Sequence, residues 1–249
     1  MVASFAQADL PEISVVVPVH NEEGAAALLA HEIAARLEGH AFEMLFVDDA
    51  STDQTRAELI AARGALASLR VLAHRRNAGQ SRAVRTGVLA ARGRIIALLD
   101  GDGQNDPADL PALISRLTRA DAPAGLGMVG GKRAKRADPW HKRMASRVGN
   151  TARAWILRDG ATDSGSGIKV LWREAFLRLP YFDHMHRYMP ALMQREGYCV
   201  EFWEVNHRPR LAGRSKYTNL GRLAVAFADL QGVGWLIRRN RPIGGIDEI

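Results

Sequence analysis

Ten residues, Ile95 to Gln104 (IIALLDGDGQ), limit what this chain can fold into more than any other stretch. Ile95–Leu99 is an uninterrupted apolar run of strand length, as expected of a parallel strand covered on both faces. It gives way at once to Asp100, Gly101, Asp102, Gly103 and Gln104, which put two carboxylates and an amide oxygen at the strand's carboxyl end. Open parallel sheets bind their ligands there. Carboxylates at alternate positions, separated by glycines that permit a tight backbone, form an oxygen-rich site suited to Mg²⁺ or Mn²⁺ holding a diphosphate. Alone, the same pattern also describes an acidic surface turn.

The flanking sequence repeats the theme. Ile13–Val17 is a β-branched run ending at Pro18, and Phe42–Val47 is a second strand ending in Asp48 and Asp49. A helix is expected over Asn21–Glu38, with Leu29, Ile33 and Leu37 on one face; Ser51 and Gln54 stand at capping-box spacing before the next. Leu69–Ala73 gives a third strand, and Asn77–Gly79 opens a helix whose apolar side is built of small residues. After the acidic turn, Asp106 caps and Pro107 begins a helix carrying Leu110, Leu113, Ile114 and Leu117. Further strands are expected at Leu126–Gly130, Ile168–Trp172 and Val200–Val205, with a helix around His186–Glu196. Alternating strands and helices predict an α/β fold: a Rossmann-like, mostly parallel sheet with helices on both faces.

The chain has 249 residues and a formal net charge of +7, enough length for one α/β domain and a charge that favours anionic partners. The first hundred residues mix both signs, whereas Lys132–Arg158 and Arg208–Arg241 are dominated by Lys and Arg. Cys199 is the only cysteine, and the first residues lack the basic and apolar regions of a signal peptide, so a cytoplasmic location is expected. No apolar run is long enough to span a bilayer. Trp140–Leu157 reads as a basic amphipathic helix; Met185, Met189 and Met193 form a packing stripe. His184, His186 and His207 read as structural or solvated, and Trp140, Trp155 and Trp172 as core or interfacial anchors.

Six segments in order, VVVPVHNEE (15–23), VDDASTDQT (47–55), RNAGQSRAVRTGVLAARG (76–93), LLDGDGQNDP (98–107), GKR (131–133) and RLAGRSKY (210–217), resemble the family 2 nucleotide-sugar glycosyltransferases of the dolichol-phosphate mannosyltransferase type. That resemblance implies a GT-A fold and inverting transfer of a sugar, GDP-mannose being the default donor, to a polyprenyl (dolichyl or undecaprenyl) phosphate. A UDP-linked glucose, amino sugar or uronic acid is the alternative donor. Pro18, Val19, Glu22 and Asp49 would hold the nucleotide, while Asp100, Asp102 and Gln104 would hold Mg²⁺ or Mn²⁺ and the diphosphate. Arg133, Lys142 and Ser146 would bind the acceptor phosphate; Arg210, Ser215 and Lys216 would close over the diphosphates, Arg210 serving catalysis. Glu22 could instead favour a helix start, and Asp48 could act as a cap.

The sequence departs from the family pattern at His20, where an aromatic is usual, at Ala50, where Gly is common, and at Ile168-Lys169, in place of Phe-Arg. These positions bear on the donor pocket. A hydroxyl acceptor needs a base, but a phosphate monoester with a second pKa of about 6 is already largely dianionic and needs cations. Transfer to a saccharide hydroxyl is disfavoured by the lack of a Gln-x-x-Arg-Trp motif. A non-enzymatic basic protein that binds nucleic acid would leave the paired acidic turns unexplained. The expected organisation is a catalytic domain over 1–218 and an amphipathic tail over 219–249. Within the tail, the helix Asn219–Arg239 carries Leu220, Leu223, Phe227, Trp235 and terminal arginines, suited to the cytoplasmic face of an anionic membrane; Asp229 and two glycines weaken its apolar face. Self-association is left open.

Overall fold

The computed structural model describes residues 10–133, 156–157, 159–160, 165–209 and 220–241, the side chains of 220–224 excepted. Lys142, Ser146, Arg210, Ser215 and Lys216, and the helix expected at Trp140–Leu157 for most of its length, lie outside them. The strands are β1 (Ile13–Val19), β2 (Phe42–Asp48), β3 (Leu69–Ala73), β4 (Ile95–Leu98), β5 (Leu126–Arg133), β6 (Lys169–Trp172) and β7 (Cys199–Val205). They form one sheet in the order β3-β2-β1-β4-β6-β5-β7. Pairing is parallel from β3 through β4 and between β5 and β7, while β6 runs antiparallel to both its neighbours. The sheet is therefore mostly parallel, as expected.

The helices are α1 (Ala26–Arg36), α2 (Thr55–Ala62), α3 (Gln80–Ala90), α4 (Leu110–Thr118), α5 (Arg173–Arg178), α6 (Met189–Arg195) and α7 (Leu220–Arg238). Side chains alternate across β1, so Val15, Val17 and Val19 pack with α1, α2 and α4 while Val16 faces α3, α5 and α6. Both faces are covered, which is why the strands read as continuous apolar runs. The methionine stripe belongs to the second face: Met185, Met189 and Met193 are all buried. Trp172 is a partly buried anchor whose Nε1 donates to the Leu126 carbonyl at 3.0 Å.

Two local expectations fail for one reason. Helix α1 begins at Ala26 and not at Asn21, and no capping box forms at Ser51 and Gln54. Residues 21–24 instead clasp the β2–α2 loop. Asn21 N–H donates to Ser51 Oγ at 2.9 Å, Thr52 N–H returns to Asn21 Oδ1 at 2.7 Å, and Glu22 N–H donates to Thr55 Oγ1 at 2.8 Å. The clasp continues with Gly24 N–H on Glu58 Oε2 at 2.9 Å. It holds Asn21 and Ala50 in left-handed conformation, at φ 53° and 59°. Asp106 does cap as expected, its Oδ1 accepting the Ala108 N–H at 2.9 Å.

The chain runs outward through β1, β2 and β3, then returns to place β4 on the other side of β1. That reversal opens a crevice beyond the carboxyl ends of β1 and β4. It is where the acidic turn stands.

Candidate active site

A cleft of about 550 Å³ occupies this crevice. It gathers, from three strand ends, Pro18, Val19 and Glu22 after β1, Asp49 after β2, and Asp100, Asp102 and Gln104 after β4. These are all the expected donor and metal residues that lie within the described part of the chain. Arg133, expected at the acceptor phosphate, ends β5 in register with Val205 and is not among the residues lining the cleft.

The acidic turn fits because glycine permits it. A Cβ on Gly101 would come within 2.5 Å of Val19 Cγ1 and 2.9 Å of the Pro18 carbonyl, and one on Gly167 would collide with the Asp100 carboxylate. Asp100 accepts from Gln80 Nε2 at 2.7 Å and from the Asn105 side chain. Burial pushes its pKa up, and the neighbouring Asp102 charge adds to this, against the opposing pull of Lys169 and those hydrogen bonds. Asp102 Oδ1 accepts the Gln104 N–H at 3.1 Å. Two carboxylates close enough to repel one another in a partly desolvated turn suit a divalent cation, which relieves that repulsion. Among the described residues no cluster of three His, Cys, Asp or Glu side chains forms a closed metal cage. The oxygen donors that the turn offers are those of Asp100, Asp102 and the amide of Gln104, a set whose chemistry fits Mg²⁺ or Mn²⁺.

Asp49 is more heavily engaged than the sequence implies. Its carboxylate accepts the backbone N–H groups of Ala78 and Gly79, both at 2.8 Å, and lies 2.7 Å from His74 Nδ1. His74 Nε2 is 2.9 Å from Thr86 Oγ1. Asp49 thus fixes the loop leading into α3, itself part of the cleft wall through Asn77, Gly79 and Gln80. Asp48 faces away from this task, taking Ser51 N–H and Arg56 Nε at 2.9 and 2.5 Å.

The opposite wall holds residues that sequence reasoning missed: Ser166, Lys169, His186 and Arg187. Lys169 lies on β6 opposite Leu98 of β4, is almost fully buried, and donates from Nζ to the Ser166 carbonyl. Its one sequence signal was its place in the Ile168-Lys169 departure. His186, read as a scattered histidine, has its Nδ1 2.7 Å from Ser81 Oγ. Burial, reinforced by the charges of Arg187, Lys169 and His184, lowers its pKa to about 3. It is neutral at physiological pH. No carboxylate stands on this wall among the lining residues at 165–169 and 186–189.

A doubly wound sheet with a carboxylate pair at its switch point, facing a cationic wall, is the architecture of a GT-A nucleotide-sugar transferase. Residues 14–179 match the family described as Glycosyl transferase family 2, and the chain belongs to that family: it is a glycosyltransferase. It is 34% identical over 239 residues to the dodecaprenyl-phosphate galacturonate synthase of Rhizobium johnstonii, covering 93% of this chain and 69% of that protein. It is also 34% identical over 222 residues to the undecaprenyl-phosphate 4-deoxy-4-formamido-L-arabinose transferase of Pseudomonas aeruginosa, covering 86% of this chain and 63% of that protein. In the second comparison the chain spans less than two thirds of the relative's length. The fold matches glucosyl-3-phosphoglycerate synthase from Mycobacterium tuberculosis, solved with Mn²⁺, UDP-glucose and phosphoglyceric acid, at a TM-score of 0.70 and 19% identity over 94% of this chain and 82% of that one.

Proposed function

We propose that this glycosyltransferase moves a sugar from a UDP-sugar to a polyprenyl phosphate with inversion, and that it needs Mg²⁺ or Mn²⁺. The observation that carries this reading is the makeup of the wall facing the acidic turn: Lys169, neutral His186 and Arg187, a wall that contributes cations and, among its described lining residues at 165–169 and 186–189, no carboxylate of its own. A hydroxyl acceptor would need a base there, and His186, with its pKa near 3, is a poor one. A phosphate acceptor arrives already charged and needs cations. The GDP-mannose expectation gives way to its UDP-sugar alternative, supported by the relatives' named sugars, a galacturonate and a formamido-arabinose.

In this reading Glu22 and the backbone at Pro18 and Val19 hold the nucleotide, and Asp49 shapes the loop beside it. Asp100, Asp102 and Gln104 hold the divalent cation, which when bound supplies Lewis-acid stabilisation of the departing diphosphate. Lys169 offsets the carboxylate charge, and Gln80 fixes Asp100. Arg133, Lys142 and Ser146 hold the acceptor phosphate, and Arg210, Ser215 and Lys216 close over the donor. Helix α7 packs on α6 through buried Val233 and leaves Val225, Phe227 and Trp235 exposed, with the Arg239 guanidinium 5.9 Å from the Trp235 ring centroid. These exposed groups support a peripheral site on the cytoplasmic membrane face; among the described residues no helix is long and apolar enough to cross the bilayer.

Calorimetry with Mn²⁺ against a panel of UDP- and GDP-sugars, followed by transfer of the tightest-binding sugar to a polyprenyl phosphate, tests the proposal. Arg133→Ala should raise KM for polyprenyl phosphate by about tenfold with little change for the donor. Transfer to polyprenol as fast as to its phosphate would overturn the acceptor assignment.

A further inference from the structure

Helix α7 lies outside the span matched to the family, yet it ties directly to the cleft wall. His184 Nδ1 is 2.9 Å from Asp229 Oδ2 of α7, the Tyr188 hydroxyl donates to the Ala226 carbonyl at 3.3 Å, and Arg195 Nε donates to the Leu236 carbonyl at 3.1 Å. Between the first two of these ties runs the single turn Met185–Arg187, entered through His184 in left-handed conformation at φ 65°. On the cleft side the same turn is fastened to α3 by His186 and Ser81. It is held front and back, and it presents Arg187 to the cleft.

The guanidinium of Arg187 makes no hydrogen bond or ion pair among the described residues. Other partly buried arginines of this chain do: Arg70 with Glu43, Arg119 with Glu201, Arg208 with Glu32 and Asp106. Asp100 and Asp102 line the same cleft without pairing with it. A partly desolvated planar fork that the described residues leave unpaired is matched in shape and charge to a carboxylate or phosphate. Lys169, whose charge is felt by both Asp100 and His186, adds a second cation to the same wall.

We propose that Arg187 is an oxyanion-binding residue of the transfer site, serving an anion other than the nucleotide diphosphate, and that Asp229 positions it through His184. This inference rests on the function proposed above. Two sources supply the chemistry: a carboxylate on a uronic-acid donor, or the phosphate of the acceptor.

The full chain with Mg²⁺ is titrated with UDP, UDP-galactose and UDP-galacturonic acid, then, with UDP present, with a detergent-solubilised polyprenyl phosphate and the matching polyprenol. Absence of UDP binding by the wild type would sink the proposed function and is distinct from any result on Arg187. Arg187→Ala is expected to leave UDP affinity within about twofold and to weaken one oxyanion ligand by about tenfold or more. Loss confined to UDP-galacturonic acid relative to UDP-galactose assigns the donor carboxylate; loss confined to polyprenyl phosphate relative to polyprenol assigns the acceptor. Unchanged affinity for both, or an equal loss for UDP itself, overturns the proposal. Arg187→Lys, which keeps charge without the fork, should fall between. Asp229→Asn should shift the same ligand ratio by a smaller factor, about two- to fivefold. A lowered melting temperature with that ratio unchanged would make Asp229 merely structural and remove it from the proposal.

Discussion

The two walls of the cleft are built on opposite terms. On the β1–β2 side much of the polar chemistry is turned inward: Asn21, Ser51 and Thr55 clasp one loop to another, and Asp49 holds two backbone N–H groups and His74. Across the cleft, the turn bearing Arg187 is braced from behind by α7 and turns that residue to the cleft. The clasped loops of the first wall spend their hydrogen bonds on one another, whereas the second wall presents Arg187 with no such partner among the described residues. A substitution in the clasp or at Asp49 should therefore read out as stability, and one at Arg187 as binding.

The largest expected effect lies on the acidic turn between them. Asp102→Asn should cut transfer by about a thousandfold or more while leaving the melting temperature nearly unchanged, because it removes charge that would hold the cation and not packing. Turnover at saturating Mg²⁺ and a thermal melt test this, and near-wild-type turnover would remove Asp102 from the metal site. Gln104→Ala should be milder, a neutral amide contributing less to a dication.

Next comes Asp49→Ala, which takes the acceptor from two part-buried N–H donors; unfolding in urea should show a loss of about 1–2 kcal/mol. If stability holds and only nucleotide affinity falls, Asp49 serves the nucleotide and not the loop leading into α3. Deeper at the base of the sheet, Glu43 accepts from Ser14 Oγ and Arg92 N–H, both at 2.7 Å, and pairs with Arg70 at 2.6 Å. Burial works to raise its pKa, but those bonds prevail and hold it below the ordinary 4.5. Its contribution is fully present above pH 4.5 and fades as pH falls through the lowered folded value. Glu43→Gln should cost about 1–2 kcal/mol at pH 7 and flatten that part of the acid-stability curve. The smallest effect is a gain: Ala50→Gly relieves a left-handed alanine in the clasp and should stabilise by about 0.5–1 kcal/mol, a rise of roughly 1–4 °C.

Legibility in the sequence follows the same division. Periodicity within a segment revealed the strands, the helices, the methionine stripe and the acidic turn, since each depends on residues close in sequence. The clasp did not show, because Asn21 and Ser51 are thirty residues apart and each had a plausible local use, as helix former and as cap. Asp229 misled: by composition it weakens an apolar helix face, whereas in the fold it pairs with His184. His186 and Arg187 were invisible for a related reason, since only the docking of α3 on one side and α7 on the other turns them toward the cleft. Lys169 stood in plain view as a departure, and its burial beside Asp100 gives that departure a meaning.

The close approaches at Gly101 and Gly167 bear on how this enzyme tolerates change. Neither residue carries a reactive group, yet any side chain at Gly101 presses on β1, and any at Gly167 strikes the Asp100 carboxylate. Even alanine at either position should displace the acidic turn as effectively as altering a carboxylate. In a saturation-mutagenesis library selected for transfer, the deepest depletion should therefore fall on these two hydrogens along with the two carboxylates they make room for, so that the sharpest outline of the active centre would be drawn in part by its empty spaces.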